Sequence, residues 1–292
     1  MTLHDKFGRQ ITDLRISITD RCNFRCVYCR SADPENYRDH DEILSWPELD
    51  RLARIFLSLG IKKIRITGGE PLVREGVEEY IARLHALGVE DLSMTTNGHL
   101  LAERCDRLIA AGLRRINISL DSLDPEKFER ITRTKSFSTV MQSIATAQNS
   151  RLAPAKVNAV LVRGINDDEV EAFASYARET GVIMRFIEFM PLDADRHWTR
   201  GLVVPAAKST SASMPAGRSS RFRMNAARRP ASIDLRMAHP AKSASSLRSH
   251  SLSAATAPAS ALPPTASSAP ASSARMTMTS VPCSGRGLRT KI

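Results

Sequence analysis

The sequence predicts an α/β fold in which a parallel sheet winds into a partial barrel, and two patterns carry that prediction. Six apolar, β-branched runs of six to eight residues alternate with helical stretches over the first two hundred residues. Glycines that can end a helix follow the helical stretches, at positions 60, 88, 112 and 181. Successive strand–helix units form parallel strands with right-handed crossovers, so we predict a partial (βα)6 barrel similar to a TIM barrel.

The elements follow in a regular order. The first predicted strand spans residues 14–19 and runs directly into a cysteine-rich loop. A helix follows from Pro47, because apolar residues recur there at helical spacing, namely Leu49, Leu52, Ala53, Phe56 and Leu59. Five further strands are predicted at 62–67, 91–96, 114–120, 156–162 and 183–190.

Polar and charged residues recur on strands that this pattern predicts to be buried. They are Arg15, Arg65, Thr95, Asn117, Ser119, Asp121, Lys156 and Arg185. Buried charges need polar partners, so together these residues predict a polar ligand inside the barrel. Gly68 and Gly69 follow the second strand, where they allow backbone to approach a ligand closely.

Three cysteines, Cys22, Cys26 and Cys29, lie within the loop after the first strand. Three thiolates can hold a four-iron cluster and leave one iron open. A zinc knuckle needs four ligands, and the remaining Cys105 and Cys283 form no pair, so zinc is the weaker interpretation. The chain shows neither a leading apolar segment nor a run of about 18 apolar residues, so we expect a cytoplasmic protein with reduced thiols and no membrane span.

The last third of the chain differs in composition. Residues 1–200 carry 29 Lys and Arg against 30 Asp and Glu, whereas residues 201–292 carry 13 against 1. Large apolar residues are scarce in that segment, so we predict a barrel domain over 1–205 and a largely disordered basic tail over 206–292. Because aromatic residues are nearly absent from the tail and it carries no binding motif, we do not expect it to bind nucleic acid.

The motifs together carry a family resemblance. The segment CNFRCVYC matches the C-x3-C-x2-C signature of radical S-adenosylmethionine (radical SAM) enzymes. Other segments resemble the GTP 3′,8-cyclase family of molybdenum cofactor biosynthesis, namely IRITGGEPLVR, MTTNG, INISLDSLD, KVNAVLVRGIN and RFIEFMPL. The resemblance extends from about Gly8 to about Pro205 and implies the radical SAM type of partial barrel.

The resemblance implies roles for individual residues. A 4Fe–4S cluster would be held by Cys22, Cys26 and Cys29. S-adenosylmethionine would be contacted by Tyr28 against its adenine and by Gly69, Ser119 and Met190. GTP would be bound by Arg15, Arg65, Thr95 and Lys156. The two guanidinium groups and the ammonium group among them suit a triphosphate.

The implied reaction begins when reductive cleavage of S-adenosylmethionine yields a 5′-deoxyadenosyl radical. That radical would take hydrogen from C3′ of GTP, and C3′ would then attack C8 to give (8S)-3′,8-cyclo-7,8-dihydroguanosine 5′-triphosphate. The resemblance also implies a reductant such as flavodoxin or ferredoxin and a downstream cyclic pyranopterin monophosphate synthase, and it leaves a homodimer open.

The tail departs from the family, whose members carry a second cluster on a CxxC pair and a further cysteine. Only Cys283 follows Cys105, so as written that cluster cannot form. We hypothesise a frameshift, because residues 251–266 can be obtained by reading codons for QPFCGDCSRLRLTADG one base late. Two alternatives stay open: another radical SAM enzyme, or a non-catalytic remnant that binds S-adenosylmethionine and one cluster.

Overall fold

The computed structural model describes residues 2–29, 37, 42–191 and 198–205, together with the backbone of 232–235. The strands are β1 Asp13–Ser17, β2 Lys63–Thr67, β3 Asp91–Thr96, β4 Arg115–Ser119, β5 Lys156–Leu161, β6 Ile183–Glu188 and β7 Ser232–Leu235. The α-helices are α1 Trp46–Ser58, α2 Val77–Ala86, α3 Leu101–Ala110, α4 Pro125–Thr132, α5 Phe137–Gln148 and α6 Val170–Thr180.

All the strands belong to one parallel sheet in the order β6-β5-β4-β3-β2-β1-β7. The first six strands neighbour one another in chain order, which confirms the predicted (βα)6 winding. Two helices, α4 and α5, fill the crossover between β4 and β5. In the part of the chain that the structure describes, no helix is long and apolar enough to cross a membrane.

The strand β7 was not predicted, since it lies within the segment expected to be disordered. It pairs in parallel with β1 from Asp13 to Ile16. The rest of that predicted tail, 206–231 and 236–292, lies outside the described residues.

Alternation along each strand separates an apolar face from a polar one. On β1 and β2 the residues facing the helices are fully buried, and they are Leu14, Ile16, Ile64 and Ile66. The intervening residues lie half-buried on the opposite face, because successive side chains of a strand point to opposite sides. This face of the sheet, which we call the inner face, carries the polar residues singled out above.

Helix starts are set by local hydrogen bonds. Ser45 and Glu48 form a capping box at the start of α1, and the Asp124 carboxylate accepts from the first backbone amides of α4. Glycines end the helices as expected where the backbone turns left-handed, as at Gly181 with φ 75° after α6.

Strand β1 ends two residues earlier than predicted, at Ser17. Ile18 still donates to the carbonyl of Thr67, but the chain then turns across the end of β2. The backbone amide of Gly69 donates to the carbonyl of Thr19 at 2.7 Å. The cysteine loop therefore begins directly above the carboxyl end of β2.

Candidate functional site

The cysteine loop carries three free thiols beyond the carboxyl end of β1. Cys22 and Cys26 are half-buried and Cys29 is exposed. The backbone amide of Cys29 donates to the carbonyl of Cys26 at 2.9 Å, which closes the loop into a turn. Burial raises the pKa of the Cys26 thiol well above its ordinary value, and Asp121, Cys29 and Cys22 raise this pKa further.

The donor set of this loop fits an iron–sulfur cluster that takes one thiolate on each of three irons. All three sulfurs belong to one short loop, which the hydrogen bond from the Cys29 amide to the Cys26 carbonyl closes. Among the described residues, no three His, Cys, Asp or Glu side chains are grouped so that they could hold a metal ion.

The glycine pair after β2 supports this loop from below. A Cβ atom on Gly68 would lie 2.6 Å from the carbonyl oxygen of Thr19, and one on Gly69 would lie 2.2 Å from the carbonyl oxygen of Arg21. Only glycine leaves room for so close an approach of two backbones. The sequence suggested that these glycines approach a ligand, whereas the structure shows them against the start of the cysteine loop.

Glu70, directly after the glycines, is buried, and its carboxylate accepts three hydrogen bonds. Its carboxylate accepts from the backbone amide of Leu72 at 3.0 Å, from Thr96 Oγ1 at 2.7 Å and from the backbone amide of Asn97 at 2.6 Å. Burial raises the pKa of Glu70 from 4.5 to about 7, although these hydrogen bonds oppose the rise. Glu70 thus connects the turn after β2 to the end of β3.

We predict that Glu70 makes the stability of the cluster-free protein depend on pH. Because its folded-state pKa is raised, its contribution is complete below pH 4.5 and is lost as the pH rises through about 7. A shift of this size corresponds to roughly 3 kcal/mol. Anaerobic urea unfolding measures the unfolding free energy at pH 5 and at pH 8. From pH 5 to pH 8 this free energy should fall by about 3 kcal/mol more in wild type than in Glu70→Gln.

The matched control for this prediction is Glu90→Gln, which makes the same chemical change at a side chain that is 63% exposed. This variant should keep the wild-type dependence on pH. Equal pH dependence in wild type and Glu70→Gln would show that the buried carboxylate does not titrate in this range.

Tyr28 ties the cysteine loop to the end of β4. Its hydroxyl donates to Asp121 Oδ2 at 2.6 Å, and Asp121 Oδ1 accepts from the backbone amide of Val160 at 2.8 Å. Burial raises the pKa of Asp121 to about 6, and the hydrogen bonds from Tyr28 and Val160 hold it lower than burial alone would. The Tyr28 hydroxyl is thus engaged with protein, and contact of its ring with adenine stays a prediction.

Strand register brings the predicted nucleotide-binding residues onto the inner face. Arg15 on β1 lies opposite Arg65 on β2. Thr95 on β3 lies opposite Asn117 on β4, which in turn lies opposite Lys156 on β5. These residues come from five strands, yet the parallel register places them in adjoining rows on one surface.

Positive charge accumulates around Lys156. Burial lowers the pKa of its ammonium group, the charges of Arg115, Arg185 and Arg65 add to this effect, and together they bring the pKa from 10.5 to about 8. Arg185 Nη1 donates to Asn117 Oδ1 at 3.1 Å, and Asn117 Nδ2 donates to the carbonyl of Met94 at 3.0 Å. This cationic cluster, Arg65, Lys156 and Arg185 with Arg115 beside them, is suited to a compact polyanion.

The remaining predicted residues lie at the loop end of the same surface. Ser119 is the last residue of β4 and is half-buried, and Met190 follows β6 with 48% of its surface exposed. Gly69 lies beneath the cysteine loop, as described above. Each of the predicted site residues therefore lies on the inner face or at its carboxyl end.

One functional contact was missing from the sequence-based prediction. Asn97 was not among the predicted site residues, yet its Nδ2 lies 3.9 Å from Cys22 Sγ. Cys105, which the sequence did not indicate as a ligand, is 1% exposed within α3 and belongs to the apolar core. A turn sequence such as Thr-Asn-Gly signals an Asn with backbone contacts, but it does not indicate which loop faces it.

A parallel (βα)6 sheet with a three-thiol loop after its first strand defines a class of barrel enzymes. The family model described as the Radical SAM superfamily matches residues 16–177, which is more than half of the chain. The chain belongs to the radical SAM superfamily. Membership implies an iron–sulfur cluster and S-adenosylmethionine.

Curated relatives within the superfamily share one name. A protein of Thermodesulfovibrio yellowstonii named GTP 3′,8-cyclase is 48% identical over 204 residues, which cover 69% of this chain and 63% of the relative. A protein of the same name from Geobacter sulfurreducens is 47% identical over 206 residues. A protein of Arabidopsis thaliana named GTP 3′,8-cyclase, mitochondrial, is 47% identical over 207 residues, which cover 53% of its length. The chain thus spans less than two thirds of the length of these relatives.

Solved structures share the fold at low sequence identity. The FeFe-hydrogenase maturase HydG from Carboxydothermus hydrogenoformans superposes with a TM-score of 0.54 at 16% identity, covering 69% of this chain and 49% of HydG. The protein anSMEcpe with bound AdoMet gives 0.51 at 18% identity, covering 68% and 54%. These likenesses confirm the partial-barrel fold alone.

Proposed function

We propose that residues 1–205 form the radical-generating barrel of a GTP 3′,8-cyclase in molybdenum cofactor biosynthesis. The observation that carries the proposal is the joint placement of two features at one end of the sheet. A three-thiol loop covers the carboxyl end of β1, and a cationic cluster lies on the inner face beneath the same rim. Relatives of that name, at 47% to 48% identity, support this assignment.

The cluster would be held by Cys22, Cys26 and Cys29, and S-adenosylmethionine by Tyr28, Gly69, Ser119 and Met190. The bound cluster supplies one electron for reductive cleavage of the sulfonium. The role of the chain is to hold these groups in a fixed loop. Glu70 and Asp121 serve that role by joining the loop region to the ends of β3 and β4–β5.

GTP would occupy the inner face with its triphosphate against Arg15, Arg65 and Lys156 and with Thr95 beside it. Repulsion among the clustered cations raises the free energy of the empty site. A bound polyanion relieves that repulsion and favours the protonated form of Lys156, and both effects strengthen binding. Placing the ribose at the rim brings C3′ toward the S-adenosylmethionine site, which is the arrangement that hydrogen abstraction requires.

Lys156 provides a test of this assignment. We predict that Lys156→Gln weakens GTP binding about tenfold, equivalent to about 1.4 kcal/mol. In wild type the affinity should fall as the pH rises through about 8, because Lys156 loses its proton there, and the variant should lack this dependence. Anaerobic calorimetry with GTP between pH 7 and pH 9.5 measures both effects, and 5′-deoxyadenosine release reports whether the bound complex generates the radical.

The control for this test is Lys135→Gln, since the Lys135 side chain is 85% exposed. It should bind GTP as wild type does at every pH. If Lys156→Gln binds GTP as tightly as wild type does, the triphosphate does not bind at Lys156 on the inner face. If the iron-loaded protein releases no 5′-deoxyadenosine, the proposed radical reaction is wrong.

A second candidate is favoured by one sequence observation, the single Cys283 after Cys105. As a protein of these 292 residues, the chain would be a non-catalytic remnant. It would bind S-adenosylmethionine and one cluster, but it would lack the second cluster that positions the guanine of GTP. The domain division proposed with it places the barrel at 1–205 and the basic tail at 206–292. A complete enzyme would also need a flavodoxin- or ferredoxin-type reductant and would pass its product to a cyclic pyranopterin monophosphate synthase.

A further inference from the structure

The side chain of Asn97 is held in one orientation at the turn that follows β3. Its Oδ1 accepts from the backbone amide of His99 at 3.0 Å, which is an Asx turn. Its own backbone amide donates to Glu70 Oε2 at 2.6 Å. With the carbonyl oxygen engaged in the turn, the NH2 group faces the cysteine loop.

Both hydrogens of that NH2 group have acceptors in the loop. Asn97 Nδ2 donates to Asn23 Oδ1 at 2.7 Å and lies 3.9 Å from Cys22 Sγ as a donor to sulfur. The opposite amide orientation would set Asn97 Oδ1 against the oxygen of Asn23 and the sulfur, and it would leave the His99 amide without its acceptor. The hydrogen-bond network therefore determines which atom faces the sulfur.

The sulfur of Cys22 thus accepts from two N–H groups. The second is the backbone amide of Phe24 at 3.4 Å, which belongs to the loop itself. The Asn97 contact is different, because it comes from the turn after β3, 75 residues further along the chain. A side chain can be replaced while the loop backbone stays intact, so this contact can be tested separately.

We propose that Asn97 is a positioning residue that adjusts the reduction potential of the cluster through the Cys22 sulfur. The inference rests on the proposed cluster binding by Cys22, Cys26 and Cys29. Reduction adds one negative charge that is shared with the ligand sulfurs, and an N–H donor to a sulfur stabilises the more negative state. Asn97 therefore makes the cluster easier to reduce, and Glu70 acts behind it by holding its backbone.

Asn97→Ser is the most informative variant. A serine hydroxyl can replace Oδ1 in the turn with His99, but it is too short to reach the sulfur of Cys22. We expect the reconstituted variant to keep about four irons per chain and to show a more negative midpoint potential in an EPR-monitored redox titration. A tenfold change in the reduction equilibrium would appear as a shift of about 59 mV for one electron.

Asn23→Ala is the matched control, since it removes the acceptor of the other amide hydrogen and leaves the contact to sulfur. Its midpoint potential should equal that of wild type. An unchanged potential in an iron-loaded Asn97→Ser overturns the inference. If that variant loses iron, Asn97→Asp, which also keeps the turn and lacks the donor, is titrated instead, and an unchanged potential there is equally decisive.

The outcomes separate this inference from the proposed function on which it rests. Failure of the wild-type chain to take up iron would overturn cluster binding by the loop and the inference together. A wild type with about four irons and variants with unchanged potential would overturn only the role of Asn97. Loss of iron from both Asn97 variants would also overturn it, because Asn97 would then hold the loop in place and would not adjust its potential.

Discussion

Replacing Cys26 with alanine is expected to lower the iron content after anaerobic reconstitution from about four atoms per chain to near zero. The proposed cluster takes three thiolates, and Cys26 would supply the middle one, between Cys22 and Cys29. Release of 5′-deoxyadenosine from S-adenosylmethionine should fall to the level of a protein-free solution. Iron analysis and chromatography of the nucleoside products measure the two effects.

Cys105→Ala is the control for the loss of a thiol. Cys105 is 1% exposed inside α3, away from the loop, so its replacement should cost about 1 kcal/mol of stability and leave iron uptake unchanged. A Cys26→Ala protein that still binds about four irons would place the cluster elsewhere in the chain.

The second large effect is expected from a change in the tail. A protein of these 292 residues should form 5′-deoxyadenosine but no cyclised GTP, since nothing supplies the second-cluster cysteines that the family resemblance implies. Joining residues 1–205 to the corresponding carboxyl-terminal region of the Geobacter sulfurreducens relative should restore cyclisation. Orienting the ribose near the radical is worth a factor of about 10⁵ or more in effective concentration.

Mass spectrometry of the nucleotide products distinguishes the two proteins, and the same chimera with Cys26→Ala should be inactive. Cyclisation of GTP by the unmodified chain would show that the second cluster is not required. The frameshift hypothesis has its own test in the gene. A single-base insertion or deletion between codons 196 and 215, relative to genes of close relatives, is expected, and an intact frame there would contradict it.

Much of the fold could be predicted because its signals are local. Six apolar runs and the glycines after helices were sufficient to predict β1 to β6 and their winding, since side-chain period and helix termination depend on neighbouring residues. Strand ends were less certain. Strand β1 stops at Ser17 because the chain turns over Gly69, a contact that no local pattern specifies.

The inner face shows the same division. The sequence indicated that Arg15, Arg65 and Lys156 lie on strands, and alternation placed each on one side of its own strand. Their assembly into one surface depends on register, which pairs Arg15 with Arg65 and places Lys156 two strands away from Thr95. A slip of one residue on any strand would have turned its charge to the other face.

The cysteine loop could be predicted without the fold, because Cys22, Cys26 and Cys29 lie within eight residues and three thiolates at that spacing favour a cluster over zinc. The groups around those sulfurs come from distant parts of the chain. Asn97 reaches Cys22 across 75 residues, and Tyr28 reaches Asp121 across 93. The physical reason is that ligand spacing is a property of a short segment. The neighbours of each ligand depend on the order and register of strands that are far apart in the chain.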